Sequence, residues 1–280
     1  MLRQRIITAV LMALAFLATL FLLPEPSFGI FITLVLFAGL WEWANLSSFM
    51  KNWQRLIYSL IGLALVVFTA NYTGLLQGTP NEIDEQAIFN VLLAAATWWA
   101  LALLWIQGYP SSAIFWRSRW IRAIIGWFVL IPTWLALVYL YQTNGPRLIL
   151  LVMFTIFVAD TGAYFTGRII GKHKLAAQIS PGKTLEGLAG GIFFCTLFAL
   201  LISVLTNLSE WPIILLIIIL TAFASVLGDL LESMVKRERK IKDSSSLLPG
   251  HGGVMDRLDS ISAATPVFAL ALIISGWSPS

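Results

Sequence analysis

Apolar residues in this chain come in runs of about 20, separated by short polar interruptions, from residue 6 to residue 277. A run of that length lets a helix cross the roughly 30 Å hydrocarbon core of a bilayer, and a helix satisfies its backbone hydrogen bonds internally. The pattern predicts an all-α polytopic membrane protein with about nine transmembrane helices, at 6–23, 28–48, 56–75, 88–107, 122–141, 148–168, 187–206, 212–235 and 258–277. The first run follows Arg3 and Arg5 as a signal peptide would. Pro24-Glu25-Pro26 and a second apolar run come after it instead of a small-residue cleavage site, so it reads as a retained span.

Composition agrees with the pattern. The 280 residues are 59% hydrophobic and 11% charged, with a mean hydropathy of +0.85. Soluble domains carry about 25% charged residues, so that class is excluded. The cations are not spread evenly. Alternate connections hold 17 of the 18 Lys and Arg residues, leaving Arg147 on the other side, where Glu25, Glu82, Asp84, Glu85 and Glu210 lie. The positive-inside rule makes the basic side cytosolic, with the N-terminus on that side and the C-terminus opposite. Trp53, Trp116, Trp120, Tyr141 and Trp277 fall near span ends as interfacial anchors. The lone Cys195 permits no internal disulfide.

The chain changes character near residue 145. Residues 1–145 read as a scaffold of five spans, with Glu42 their only internal acid and interhelical hydrogen bonding its only evident use. Residues 146–280 read as the catalytic region of four spans. They hold the two longest basic connections, 169–186 and 236–257, and place polar residues and glycines within the spans.

Acids within spans are costly and are functional candidates by default. In the second region they are Asp160, Glu186, Asp229, Glu232, Asp256 and Asp259, with Asp243 in a loop. The i, i+3, i+7 spacing puts Asp229, Glu232 and Lys236 on one face of the eighth span. Asp256 and Asp259 open the ninth, which runs back antiparallel, so carboxylates ending one helix meet carboxylates starting the next. Between them, Ser233 to Asp259 mixes six cations with four acids, His251 and the pair Gly252-Gly253. Cations suit a polyphosphate, carboxylates suit Mg²⁺, and paired glycines let backbone approach a bulky anion. The alternative is a solvated loop of mutually paired charges. Asp229 and Glu232, inside an apolar helix, favour the metal and phosphate reading.

A second constellation, Ser180-Pro181-Gly182-Lys183-Thr184-Leu185-Glu186-Gly187, lies at the entry to the seventh span. It is not a P-loop: Ala177 stands where that motif needs glycine, and no strand is predicted before it. Either its side chains and the free N–H groups of a helix N-terminus bind an anion, or Ser180 or Thr184 simply caps the helix. Asp160 is open between a buried charge pair and a site role. His251 suits hydrogen bonding or phosphate contact better than Mg²⁺, and His173 reads as a surface residue.

The run from Ser233 to Asp259 resembles the signature of the phosphatidate cytidylyltransferases, or CDP-diacylglycerol synthases. The matching positions are Ser233, Lys236, Arg237, Lys242, Asp243, Ser245, Leu248, Pro249, His251, Gly252, Gly253, Asp256, Arg257 and Asp259. The Ser-Pro-any-Lys-Thr-any-Glu-Gly run from Ser180 is similar to a second stretch of that family. The resemblance implies transfer of the cytidylyl group of CTP to phosphatidate at an integral, multi-pass site facing the cytosol, in the cytoplasmic membrane if the source is bacterial. It implies Mg²⁺, with a second cation as an option, held by Asp229 and Asp256, with Asp259 and Asp243 as further candidates. Lys236 and Arg237 join Asp229 and Asp256 as catalytic residues. Ser180, Lys183, Thr184, Glu186, Ser233, Lys242, His251, Gly252, Gly253 and Arg257 would bind substrate. Membrane lipids and a second copy of the chain are expected partners, and nucleic acid is not. Rival readings are a CTP-dependent transferase acting on a polyprenol or other lipid, and a secondary transporter, whose coupling acids would lie at the midplane in both halves.

Overall fold

The computed structural model describes residues 2–22, 24–76, 82–206 and 210–277. Ten helices follow in order: α1 Leu2–Leu22, α2 Glu25–Leu46, α3 Asn52–Tyr72, α4 Glu85–Gln107, a short α5 Ala113–Trp116, α6 Arg119–Asn144, α7 Pro146–Ile170, α8 Leu185–Thr206, α9 Trp211–Glu238 and α10 Met255–Ser275. Among the described residues eight of these are long and apolar enough to cross a membrane, and α1 adds a shorter apolar stretch, Val10–Leu22. The protein is thus a polytopic helical membrane protein. Large apolar side chains such as Leu34, Phe68, Phe157 and Val204 stay exposed on the outer faces, as lipid contact requires.

Helix centres follow the apolar runs, while several ends reach further. At 28 residues α9 is about 42 Å long, more than a bilayer core needs. Its last turns therefore carry Glu232 and Lys236 into what the hydropathy pattern assigned to a span end and a loop. The first long basic connection also holds regular structure that the pattern did not reveal. Lys174–Ala176 (β1) and Ser180–Thr184 (β2) form an antiparallel hairpin pairing Lys174 with Thr184 and Ala176 with Ser180, with an irregularity between the two pairs. Ser180 and Lys183 accordingly sit on a strand that leads into α8, not on the first turn of the helix.

Helix α6 is the most enclosed element, with Leu130, Leu135, Ala136 and Leu140 fully buried. Gly126 makes this possible: a Cβ there would lie 2.2 Å from Trp43 Cδ1 and 2.4 Å from the Tyr58 hydroxyl. Those two side chains use the space to donate hydrogen bonds to the Arg122 and Ala123 carbonyls, at 2.7 and 2.8 Å. Helices α7 and α8 meet along small residues, where Gly187 and Gly191 face the Ala163 and Ala159 carbonyls, the close packing that small residues allow in membranes.

The pair that positions the site is α9 and α10. Their backbones come together at Gly228, where a Cβ would stand 2.2 Å from the Asp259 carbonyl oxygen. Backbone cannot yield there as a side-chain tip could. Gly228→Ala is expected to cost about 1–3 kcal/mol in unfolding of the detergent-solubilised protein, whereas Gly29→Ala, with nothing within 4 Å, should be near neutral. Equal stability of the two variants would contradict this account of the crossing.

Candidate functional site

Seven residues along α9 from Asp229 stands Lys236, and its ammonium lies between two carboxylates: Asp256 Oδ1 at 2.6 Å and Glu232 Oε2 at 3.2 Å. All three side chains are buried. The other oxygen of Asp256 accepts hydrogen bonds from the Ser244 and Gly253 backbone N–H groups, at 2.9 and 2.8 Å, and lies 2.8 Å from the Ser244 hydroxyl. Among the described residues Glu232 has only the lysine as an ion-pair partner, in a contact that lacks hydrogen-bond geometry. One cation thus balances two acids where water is scarce.

The two glycines of the signature are used by the protein's own carboxylates. Gly252 adopts φ +80°, and a Cβ would meet Asp256 Oδ2 at 2.7 Å; a Cβ on Gly253 would fall 2.1 Å from Ser244 Oγ and 2.4 Å from Glu42 Oε2. The loop can therefore fold tightly over both acids only because these positions are bare.

About two turns deeper along α9, near 10 Å by helical rise, lies a second ion pair. Asp229 Oδ2 is 2.6 Å from Lys183 Nζ on β2, and Ser233 donates to Asp229 Oδ1 at 3.1 Å. Asp160 and Asp259 both lie within electrostatic reach of Asp229 and Lys183. A cavity of about 470 Å³ opens here between α7, α8, β2 and α9, with Asp160, Tyr164, Arg168, Ser180, Lys183 and Thr184 in its wall. Arg168 donates to the Tyr164 hydroxyl at 2.9 Å.

The residues around this cavity divide between shaping it and facing it. The Thr184 hydroxyl accepts from the Gly187 N–H at 3.0 Å, which makes it the N-cap of α8; the capping alternative holds for Thr184. The Glu186 carboxylate accepts from the Lys172 and His173 backbone N–H groups, at 3.0 and 3.1 Å, and from the His173 ring at 2.6 Å. It staples the turn after α7 to the start of α8. Arg237 donates to the Ile179 carbonyl at 3.0 Å and so ties α9 to the hairpin. His251 donates its backbone N–H to the Leu248 carbonyl at 2.9 Å, while its Nδ1 has no hydrogen-bond partner among the described residues. Lys242, Asp243 and Arg257 are exposed on the loop and the first turn of α10.

The predicted meeting of α9 and α10 carboxylates occurs, in a staggered form. Asp229 lies level with Asp259 and pairs with Lys183; Asp256 pairs with Lys236 nearer the helix end. Among the described residues no three acids, histidines or cysteines converge as a ready metal cage. The donors present are hard oxygens, and magnesium binds through one or two carboxylates plus substrate phosphates, not through an all-protein cage. In chemistry, then, Asp229, Asp259 and Asp160 fit Mg²⁺, whereas Asp256, expected as a ligand, has both oxygens taken up by Lys236, Ser244 and Gly253.

Sequence reasoning missed Glu42 and Ser244 as site residues. Glu42, on α2, accepts from the Ser245 hydroxyl and from the Val254 and Met255 N–H groups, and lies 3.0 Å from the Ser244 hydroxyl. Its signal was an isolated acid in a span, which flags a partner without naming it.

Residues 3–275 match the model of the Cytidylyltransferase family. The chain belongs to that family. Among curated members, a phosphatidate cytidylyltransferase of Pseudomonas aeruginosa is 41% identical over 282 aligned residues, covering 99% of each chain. One from Haemophilus influenzae is 36% identical, over 96% of this chain and 98% of its own. One from Staphylococcus saprophyticus is 44% identical across 48% of this chain and 53% of its own.

For this member of the cytidylyltransferase family the buried triad makes a direct prediction. Lys236→Met removes the one cation shared by Glu232 and Asp256, and should destabilise by about 3–5 kcal/mol. Adding Glu232→Gln should restore part of that loss in the same unfolding measurement. A single-variant loss below about 1 kcal/mol, the range of exposed pairs, would show that the triad is not electrostatically closed.

Proposed function

We propose that the protein transfers the cytidylyl group of CTP to phosphatidate, forming CDP-diacylglycerol and releasing pyrophosphate. The observation that carries this is the cavity beside α9, walled by Arg168, Lys183 and Asp160 with Asp229 held against Lys183, and with no nucleophile–base pair among its described lining residues. A phosphatidate oxygen attacks the α-phosphorus, and the bond from that phosphorus to the bridging oxygen of the β-phosphate breaks. The lipid phosphate is already anionic and requires no general base. What it requires is relief from repulsion between two anions and from charge growing on pyrophosphate.

The chain's own groups supply that relief. Lys183 is held by Asp229 in an ion pair that is partly open to the cavity, so its ammonium can turn to a phosphate with little rearrangement. Arg168 lies across the same cavity. Lys236 is locked between two acids, and its partner Asp256 ties the signature loop and the start of α10, which carries Asp259, to α9. Asp229, with Asp259 or Asp160, would hold Mg²⁺, which would supply positive charge against the developing negative charge of the leaving group. Ser180 lines the cavity wall as a further donor.

The loops that carry 17 of the 18 Lys and Arg residues support a cytosolic site. CTP then arrives from the cytosol, while a diacyl lipid enters sideways from the inner leaflet. Helix ends at that surface are where both can meet.

Purified protein given labelled CTP, phosphatidate and Mg²⁺ should yield a labelled lipid. Asp229→Ala and Asp256→Ala should each lower turnover by about 100-fold or more while still inserting and folding. Parent-like turnover by either at limiting Mg²⁺ would refute these assignments, and labelling of a polyprenyl phosphate in preference to phosphatidate would redirect the lipid assignment.

A further inference from the structure

Helix α10 begins without a cap of its own. Val254 occupies the N-cap position in a helical conformation and offers no side-chain hydrogen bond, although the first N–H groups of a helix have no intrahelical partners. The acceptor comes from the other half of the chain. Glu42, 2% exposed, takes the Val254 N–H on Oε1 at 3.0 Å and the Met255 N–H on Oε2 at 2.7 Å. The Ser245 hydroxyl donates to Oε1 at 2.6 Å, and the Ser244 hydroxyl stands 3.0 Å from Oε2. An ionised carboxylate is acceptor-only, with about four lone-pair sites; here three have donors of their own, and the fourth shares the single Ser244 hydroxyl proton with Asp256.

One turn on along α2, Asn45 donates to the Ser244 carbonyl at 3.3 Å, and Arg55 holds the Asn45 side-chain oxygen at 3.0 Å. Ser244 is the link to the site. Its hydroxyl lies between Glu42 Oε2 and Asp256 Oδ2, and its backbone N–H donates to Asp256. The bare Cα of Gly253 sits against this same contact.

We infer that Glu42 is a positioning residue for the transfer reaction: it caps α10 from α2, pins the signature loop and, through Ser244, fixes Asp256. Helices α2 and α3 of the first region thereby complete the site instead of merely supporting it. This rests on the reading under Proposed function. The chemistry is specific to a carboxylate. Each oxygen of Glu42 receives a backbone N–H, so the amide of Glu42→Gln, turned either way, sets its NH₂ against one of them.

The test pairs kinetics with hydrogen exchange of the full-length protein in detergent. Glu42→Gln should lower kcat by about 10-fold or more, change KM for CTP by less than about threefold, and speed amide exchange by about 10-fold or more in residues 244–256 while leaving the α7–α8 seam protected. Asn45→Ala should show the same local pattern in weaker form. Unchanged exchange in the loop, or local loosening with parent-like kcat, would overturn the inference. So would exchange rising across α7 and α8 as well, or failure of both variants to fold, since Glu42 would then be a general folding residue. The exchange measurement uses no substrate. An inactive parent protein would count against the transfer reading, whereas a tight loop in the variant would count against this one.

Discussion

The structure depends on keeping charge paired where water is scarce. An ammonium or carboxylate taken from water carries a penalty of several kcal/mol unless partners replace its hydration. Helices α9 and α10 meet this by setting Lys236 of α9 against Asp256 of α10 and against Glu232, one turn earlier on its own helix. Gly228 brings the backbones close enough for those contacts to be short. The glycine pair then folds the loop over Asp256, and its N–H groups complete the hydration shell that the carboxylate has lost. Packing and electrostatics are here the same constraint, because the distance that makes the ion pairs strong is the distance that only glycine permits.

This arrangement separates two kinds of ion pair. The Lys236 group is closed and positional. The Lys183–Asp229 pair borders a cavity and is partly exposed. A reaction between two anions needs both: a fixed frame to hold orientation, and a cation that can leave one anion for another. Residues drawn from β2, α7, α9 and α10 supply them, and Arg237 and Thr184 keep the hairpin in register with the helices.

Much of this was legible in the sequence because its causes are local. The length of apolar runs gave the helices, and the i, i+3 spacing of Asp229 with Glu232 and of Asp256 with Asp259 gave the two faces that meet. The stagger between Asp229 and Asp256 was not legible, since it follows from where α9 and α10 cross, which Gly228 decides in three dimensions. The hairpin at 174–184 was missed because strands of three and five residues fall below any periodic signal. Glu42 was visible as an anomaly without a partner, because its partners lie more than 200 residues away in the chain. The Gly252-Gly253 pair was read as room for an external anion; the anions it meets in the structure are the protein's own Glu42 and Asp256.

The central claim is that nucleotide phosphates enter beside α9 by replacing Asp229 as the partner of Lys183 while the Lys236 group stays closed. A cryo-EM structure of the protein in a lipid nanodisc with CTP and Mg²⁺ tests it most directly. The account predicts the triphosphate in the cavity walled by Asp160, Arg168 and Lys183, with the Lys183 ammonium moved onto a phosphate oxygen and the Lys236–Asp256 contact unchanged. A triphosphate bound elsewhere, with the Lys183–Asp229 pair intact, would contradict it.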